Sequence, residues 1–329
     1  MSMEILSHPG HGCPKGKNKM SNTTFITEFV LLGFSELHKV DLGFYTLLLL
    51  MYLLSLMGHA LIIIVISMEP KLHTPMYFFL LNFSIAEISS TTSEMPKMLV
   101  NSFSGKNTIC FACCMVQGFM VFTMGAVEFM TLTIMSFDRY VAICKPLHYQ
   151  TIMTSGLCLN LSLLAWIGGF GLIFPQSVVV WTYPYCGHNK IDHFFCDVGP
   201  VLQLACADTT VIEFVGLIYG ATIMWGSFGF SLISYARIIF TIIQIPSATG
   251  RSKAFFTCAS HLTVVTIFYM VLMFMYLRPS THGNIQLNKI LSLFHTSFIP
   301  MLNPFIYTIR NSDFKTALWK AIAKIKKNS

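Results

Sequence analysis

The chain has 329 residues, of which 54% are hydrophobic and only 11% charged, and its formal net charge is +7. An average soluble domain is about one quarter charged, so a soluble enzyme, a nucleic-acid binder and a disordered protein are all disfavoured, and lipid is the solvent that suits this composition. The surplus of base then reads as orientation, because Lys and Arg collect on the cytoplasmic side of membrane proteins.

Residues 1–20 lack the apolar core of about 7–15 residues that marks a cleavable signal peptide, so insertion falls to the first transmembrane helix. Asn22-Thr23-Thr24 is an N-glycosylation sequon, of use only on the outer side. Seven segments then stay apolar for about the 20 residues that a helix needs to cross a bilayer. They are 42–67, 75–96, 111–137, 157–180, 211–238, 254–277 and 287–309. Their apolar residues run round the whole helix, and the alternating ten-residue strands of a barrel are absent. The expected architecture is an all-α, seven-helix membrane bundle (42–309), with an extracellular tail (1–41) and a cytoplasmic tail (310–329).

Charge inside these spans is rare and therefore informative. Glu87 lies in the second and Glu128 in the third. Two readings stay open: a shared cation or proton site involving Asn303 or His59, or hydrogen-bonded structural carboxyls. Asp138-Arg139-Tyr140 ends the third span, where an Arg released from its neighbouring Asp becomes a donor fork for a bound protein. Cys110, Cys113 and Cys114 open that span, and Cys186, Cys196 and Cys206 share the loop after the fourth. Both places lie on the side where disulfides persist. In the seventh span Pro304 breaks the helix ladder and frees a carbonyl, for which Asn303 is the expected partner, and the kink reads either as static or as a hinge. Beyond it Phe314, Ala317, Leu318, Ala321, Ile322 and Ile325 recur at helical spacing with lysines between them, as in a short amphipathic helix on the inner leaflet. Near the spans, 12 basic residues fall on the C-terminal side and 6 on the other, which puts the C-terminus in the cytoplasm.

The motifs together resemble one family. LHTPMYFFL (72–80), PKML (96–99), MSFDRYVAICKPLHY (135–149), HFFCD (193–197), SYARI (234–238), KAFFTCASHL (253–262), FYM (268–270) and PMLNPFIYTIRN (300–311) stand in order on their expected elements. From Met20 onward the chain is similar to the olfactory receptors, a branch of the rhodopsin-like G-protein-coupled receptors. Met20 is thus an alternative start to Met1. The resemblance implies disulfides Cys114–Cys196 and Cys186–Cys206, and leaves Cys13, Cys110 and Cys113 without an implied partner. It implies a signalling switch made of Asp138, Arg139, Tyr140, Tyr235, Asn303, Pro304 and Tyr307. It matches Glu128 to a family acid, while Glu87 stands for the usual Asp and His59 for the usual Asn. Met270 replaces the usual Gly and is expected at the pocket edge.

The pocket implied by the resemblance lies between helices three, five, six and seven. Its expected walls are Phe122, Gly125, Ala126 and Phe129 on helix three and Tyr219 and Ile223 on helix five. Tyr269, Leu272, Met273 and Tyr276 on helix six and Thr296 on helix seven complete it. Val121 stands where amine receptors of this fold carry an acid, and Glu213, Arg278 and Lys289 are expected at the mouth. A small, neutral, mainly apolar volatile ligand follows, binding weakly because it has few atoms. The implied output is activation of a stimulatory, olfactory-type G protein that raises cAMP. Lipid is the surroundings, nucleic acid is no partner, and no cofactor is expected beyond a sodium ion near Glu87 and Glu128. A transporter would want internal repeats and charged linings, and an intramembrane enzyme a catalytic set; the sequence has neither.

Overall fold

In lipid each backbone N–H and C=O must be satisfied within its own segment, so apolar runs of this length fold as helices. The computed structural model describes residues 26–34, 42–186, 188–276, 285–309, 314–320 and 323. Among them seven long helices form a bundle: Leu42–Met68, Pro75–Ser104, Phe111–Cys144, Ser155–Thr182, Thr210–Ile243, Ala248–Tyr276, and a seventh from Ile285 to Ile309. Several outrun their apolar segments, because a helix that leaves the hydrocarbon keeps its internal hydrogen bonds. Helix two runs through Pro96 and stops at Gly105, whose left-handed φ of 67° closes the end on the Asn101 carbonyl, a conformation that glycine adopts without Cβ strain. Among the described residues five helices are long and apolar enough to cross a membrane on their own. Helix six joins them if Ala248–Phe256 and Cys258–Val271, bent by 46°, count as one span. Helix two is long enough at 30 residues but carries Glu87, Glu94 and Lys97.

Helix three is the centre of the bundle, packing on helices two, four, five and six. The core beneath it joins Ile62, Phe79, Phe83, Leu132, Met135, Val264, Phe268 and Ile299. Large apolar side chains left exposed, such as Met57, Leu164, Ile167, Ile233 and Phe240, form the belt that lipid covers.

One end of the bundle carries a cap. Strand β1 (Glu28–Leu31) pairs antiparallel with β2 (Thr108–Cys110), Phe29 opposite Ile109, and parallel with β3 (Lys190–Ile191), Val30 opposite Lys190. Part of the segment expected to be a tail is therefore built into the fold, with Phe29, Ile109 and Ile191 buried. Cys114 is bonded to Cys196 and Cys186 to Cys206, with Cα atoms 5.4 and 5.8 Å apart. Cys110 and Cys113, left without a partner in the sequence reading, are bonded to each other across one turn at the start of helix three. At the other end residues 314–320 are helical, with Phe314 and Ala317 buried and Lys315 and Lys320 exposed. Ala321, Ile322 and Ile325 lie outside the described residues, as do Asn22, Cys13 and Arg278.

Candidate ligand-binding and signalling site

At the end opposite the cap, Asp138 is fully buried. One of its oxygens accepts from Arg139 Nε at 3.0 Å and Nη2 at 2.5 Å, and the other from the Tyr149 hydroxyl at 2.7 Å. Burial, then the Asp138 carboxylate, push the Tyr149 phenol up, so it stays a donor and completes the cage around the acid. The guanidinium is thus held by its own neighbour, with 11% of its side chain exposed. Tyr140 packs into the group formed by Tyr235, Ile238, Ile242 and Cys258. Tyr235 Oη meets His261 Nδ1 at 2.5 Å, tying helix five to helix six. Tyr307 is buried with its hydroxyl unpartnered, its ring 6.4 Å from Phe83.

Helix seven carries two irregularities, a π-helical turn at Phe294–Phe298 and a proline at 304. Pro304 has no N–H to give the carbonyl of Pro300, four residues earlier. His59 Nε2 supplies that bond at 3.1 Å. Asn303, the expected partner, instead donates to Glu87 Oε1 at 2.5 Å. The departure from Asn at position 59 thus has a use: the longer ring crosses to the freed carbonyl. Gly58 lets it approach, because a Cβ there would sit 2.7 Å from Pro304 Cβ. Replacing His59 with Leu leaves the Pro300 carbonyl buried and unpaired, at a cost of about 1–3 kcal/mol. The expected result is a lower melting temperature of the detergent-solubilised protein; an unchanged one would refute the pairing.

Glu128 Oε1 is buried without a partner. Glu94, on helix two, went unnoticed in the sequence although the signal that marks Glu87, an acid in an apolar run, is the same. Its side chain is 1% exposed and neither oxygen is hydrogen-bonded. Among the described residues no three His, Cys, Asp or Glu side chains are placed to hold a metal ion.

Of the expected pocket walls, Phe129 and Tyr269 meet with ring centroids 5.7 Å apart. The Tyr269 hydroxyl bonds Ser227 Oγ, which also meets Thr133 Oγ1 at 2.5 Å and the Phe129 carbonyl at 3.0 Å. Helices three, five and six are joined here by a hydroxyl cluster whose Thr133 and Ser227 the sequence reading passed over, since one hydroxyl on an apolar helix carries no pattern. Ala126 is buried, and Phe122, Gly125, Tyr219, Ile223 and Thr296 are half-buried. Val121 packs with Met95, Met98, Leu293, Phe194 and Phe195. The side chains of Leu272, Met273 and Tyr276 lie outside the described residues. Met270 is not at the pocket edge: its side chain is 65% exposed, since about 100° of helical rotation separates it from the buried Tyr269. Lys289 is not an open charge at a mouth either. It is 1% exposed, paired with Asp192 and donating to the Gly33 carbonyl at 3.1 Å, because the cap folds over it. Glu213 is exposed and accepts from Thr209 at 2.6 Å.

A family model described as olfactory receptor matches residues 48–325. Olfactory receptor 6X1 of Homo sapiens is 49% identical over 92% of this chain and 97% of its own length. Olfactory receptor 6E1 of Mus musculus is 43% identical over 94% of this chain and 99% of its own. Olfactory receptor 2AP1 of Homo sapiens is 43% identical over 93% and 99%. A bundle of apolar helices, a buried Asp–Arg pair at one end and matches of this extent agree: the chain belongs to the olfactory receptor family, as a multi-pass membrane receptor and not an enzyme.

Proposed function

We propose that this odorant receptor takes a small, neutral, mainly apolar volatile ligand between helices three, five, six and seven, and activates a stimulatory, olfactory-type G protein that raises cAMP. The observation that carries the ligand class is the wall itself. Val121, Phe122, Ala126, Phe129, Ile223 and Tyr269 offer apolar surface and a hydroxyl, and none of these six side chains carries a charge. The reading places the capped end outside, with Asn22 glycosylated, and the Arg139 end in the cytoplasm, in line with the distribution of Lys and Arg. Ligand binding favours a bundle in which helix six moves away from Arg139, freeing its fork for the G protein. A small cation between Glu87 and Glu128 belongs to the same proposal, and the unpartnered Glu128 Oε1 supports it.

The test is a dose–response series on cells with measured surface density. Tyr269→Phe removes a donor from the hydroxyl cluster, and Gly125→Leu fills space where nothing lies within 4 Å of an added Cβ. Each is expected to shift potency by about tenfold, the worth of one buried hydrogen bond or a filled subsite. Potency unaffected by both substitutions would refute the pocket.

A further inference from the structure

Glu94 stands apart from the other buried acids. Glu87 has Asn303 and Asp138 has Arg139 and Tyr149, whereas both oxygens of Glu94 are buried without a hydrogen bond. Its neighbour on helix seven is Thr296, whose hydroxyl lies near enough to meet the carboxyl but forms no bond of good geometry with it, so that its oxygen too is buried without a partner. Thr296 lies on the π-helical turn Phe294–Phe298, and such turns are frequent at functional sites. Two empty polar groups side by side, on facing helices and beneath the loop that bears Asp197, are costly unless something supplies their bonds.

We propose that Glu94 and Thr296 receive the polar end of the odorant, and that this end is a hydroxyl group. The inference rests on the proposed bundle pocket and narrows its ligand from a neutral apolar molecule to an alcohol or phenol. The chemistry selects the group. A carboxyl accepts hydrogen bonds whether or not it is protonated, and a threonine hydroxyl both donates and accepts. A ligand hydroxyl donates to Glu94 and accepts from Thr296, so it is matched in either state of the acid and brings no charge to desolvate. An ether or aldehyde has no proton to donate: at most it accepts one from Glu94 or Thr296, and it leaves an acceptor oxygen of Glu94 unpaired. A primary amine is charged in water and loses its hydration on entry.

The experiment uses the full-length receptor in cells with a cAMP reporter and measured surface density. Probes are hexanol, octanol, decanol, benzyl alcohol and phenethyl alcohol, each beside the methyl ether, aldehyde and primary amine of the same skeleton. The expected result is activation by at least one alcohol, with its ether about tenfold weaker or more. Glu94→Gln, which still accepts, keeps the alcohol within a few-fold, whereas Glu94→Leu brings alcohol and ether to equal potency. Thr296→Val weakens the alcohol more than the ether, and decides the matter if Glu94→Leu does not reach the surface. Equal potency of alcohol and ether on the unmodified receptor overturns the assignment, as does silence from every alcohol or an alcohol preference that survives Glu94→Leu. An amine that exceeds its alcohol, and loses that advantage in Glu94→Gln, makes Glu94 a counter-ion and also overturns it. The same probes on Tyr269→Phe and Gly125→Leu separate the two readings. If those substitutions shift potency and Glu94→Leu does not, only the Glu94 subsite falls; if none does, the bundle pocket falls.

Discussion

Arg139→Ala is expected to abolish ligand-driven cAMP accumulation while surface density stays within about twofold of the unmodified receptor. In the structure the guanidinium spends its donors on one oxygen of Asp138. The proposed active bundle turns that fork toward a partner, and Lys cannot reproduce its planar, two-pronged geometry. Removing one member of a buried ion pair often costs about 3–5 kcal/mol, because the other charge is stranded. Here Asp138 keeps the Tyr149 hydroxyl at 2.7 Å, so folding suffers less than signalling. Asp138→Asn works in the opposite direction: it loosens the hold on Arg139 and is expected to raise cAMP without ligand. Normal signalling by Arg139→Ala would remove Arg139 from the switch.

The second large effect is at Gly118, which is expected to tolerate no side chain. A Cβ there would sit 2.7 Å from the Cys196 carbonyl oxygen, and that backbone has nowhere to retreat. Cys196 is bonded to Cys114, and its N–H is held by Gln117 Oε1 at 3.0 Å, while Gln117 Nε2 reaches the Ser93 carbonyl at 2.9 Å. Overpacking of this kind costs about 1–3 kcal/mol or more, a large share of a marginal stability. Flow cytometry of Gly118→Val should show about a tenfold loss of surface receptor. Gly125→Ala, on the same helix with nothing within 4 Å, should be unchanged. Equal expression of the two would mean that the loop does not seat on helix three as described.

The features legible in the sequence are those whose signal is local. Apolar runs mark all seven helices, and Asp138-Arg139-Tyr140 and Pro304 declare themselves by position. The features that escaped are decided by what the chain meets elsewhere. Glu28–Leu31 is four residues with no alternation to read, and it becomes a strand only because segments about 80 and 160 residues further on lie beside it. Lys289 looked like an open surface charge until Asp192 and Gly33 closed over it. Asn303 was the expected partner of the proline-freed carbonyl, and helix packing gives that place to His59 instead. Glu94 was an oversight of a different kind, since its own residue type in an apolar helix was sufficient to raise it.

Odorant-evoked cAMP in cells that express this receptor at the surface, measured with and without a stimulatory olfactory-type G-protein α subunit, decides whether the bundle couples a ligand to that G protein. A broad panel of small volatiles should include at least one that raises cAMP in a dose-dependent way, only when receptor and α subunit are both present. A ligand response that persists undiminished without the α subunit, or a membrane current in its place, would contradict it.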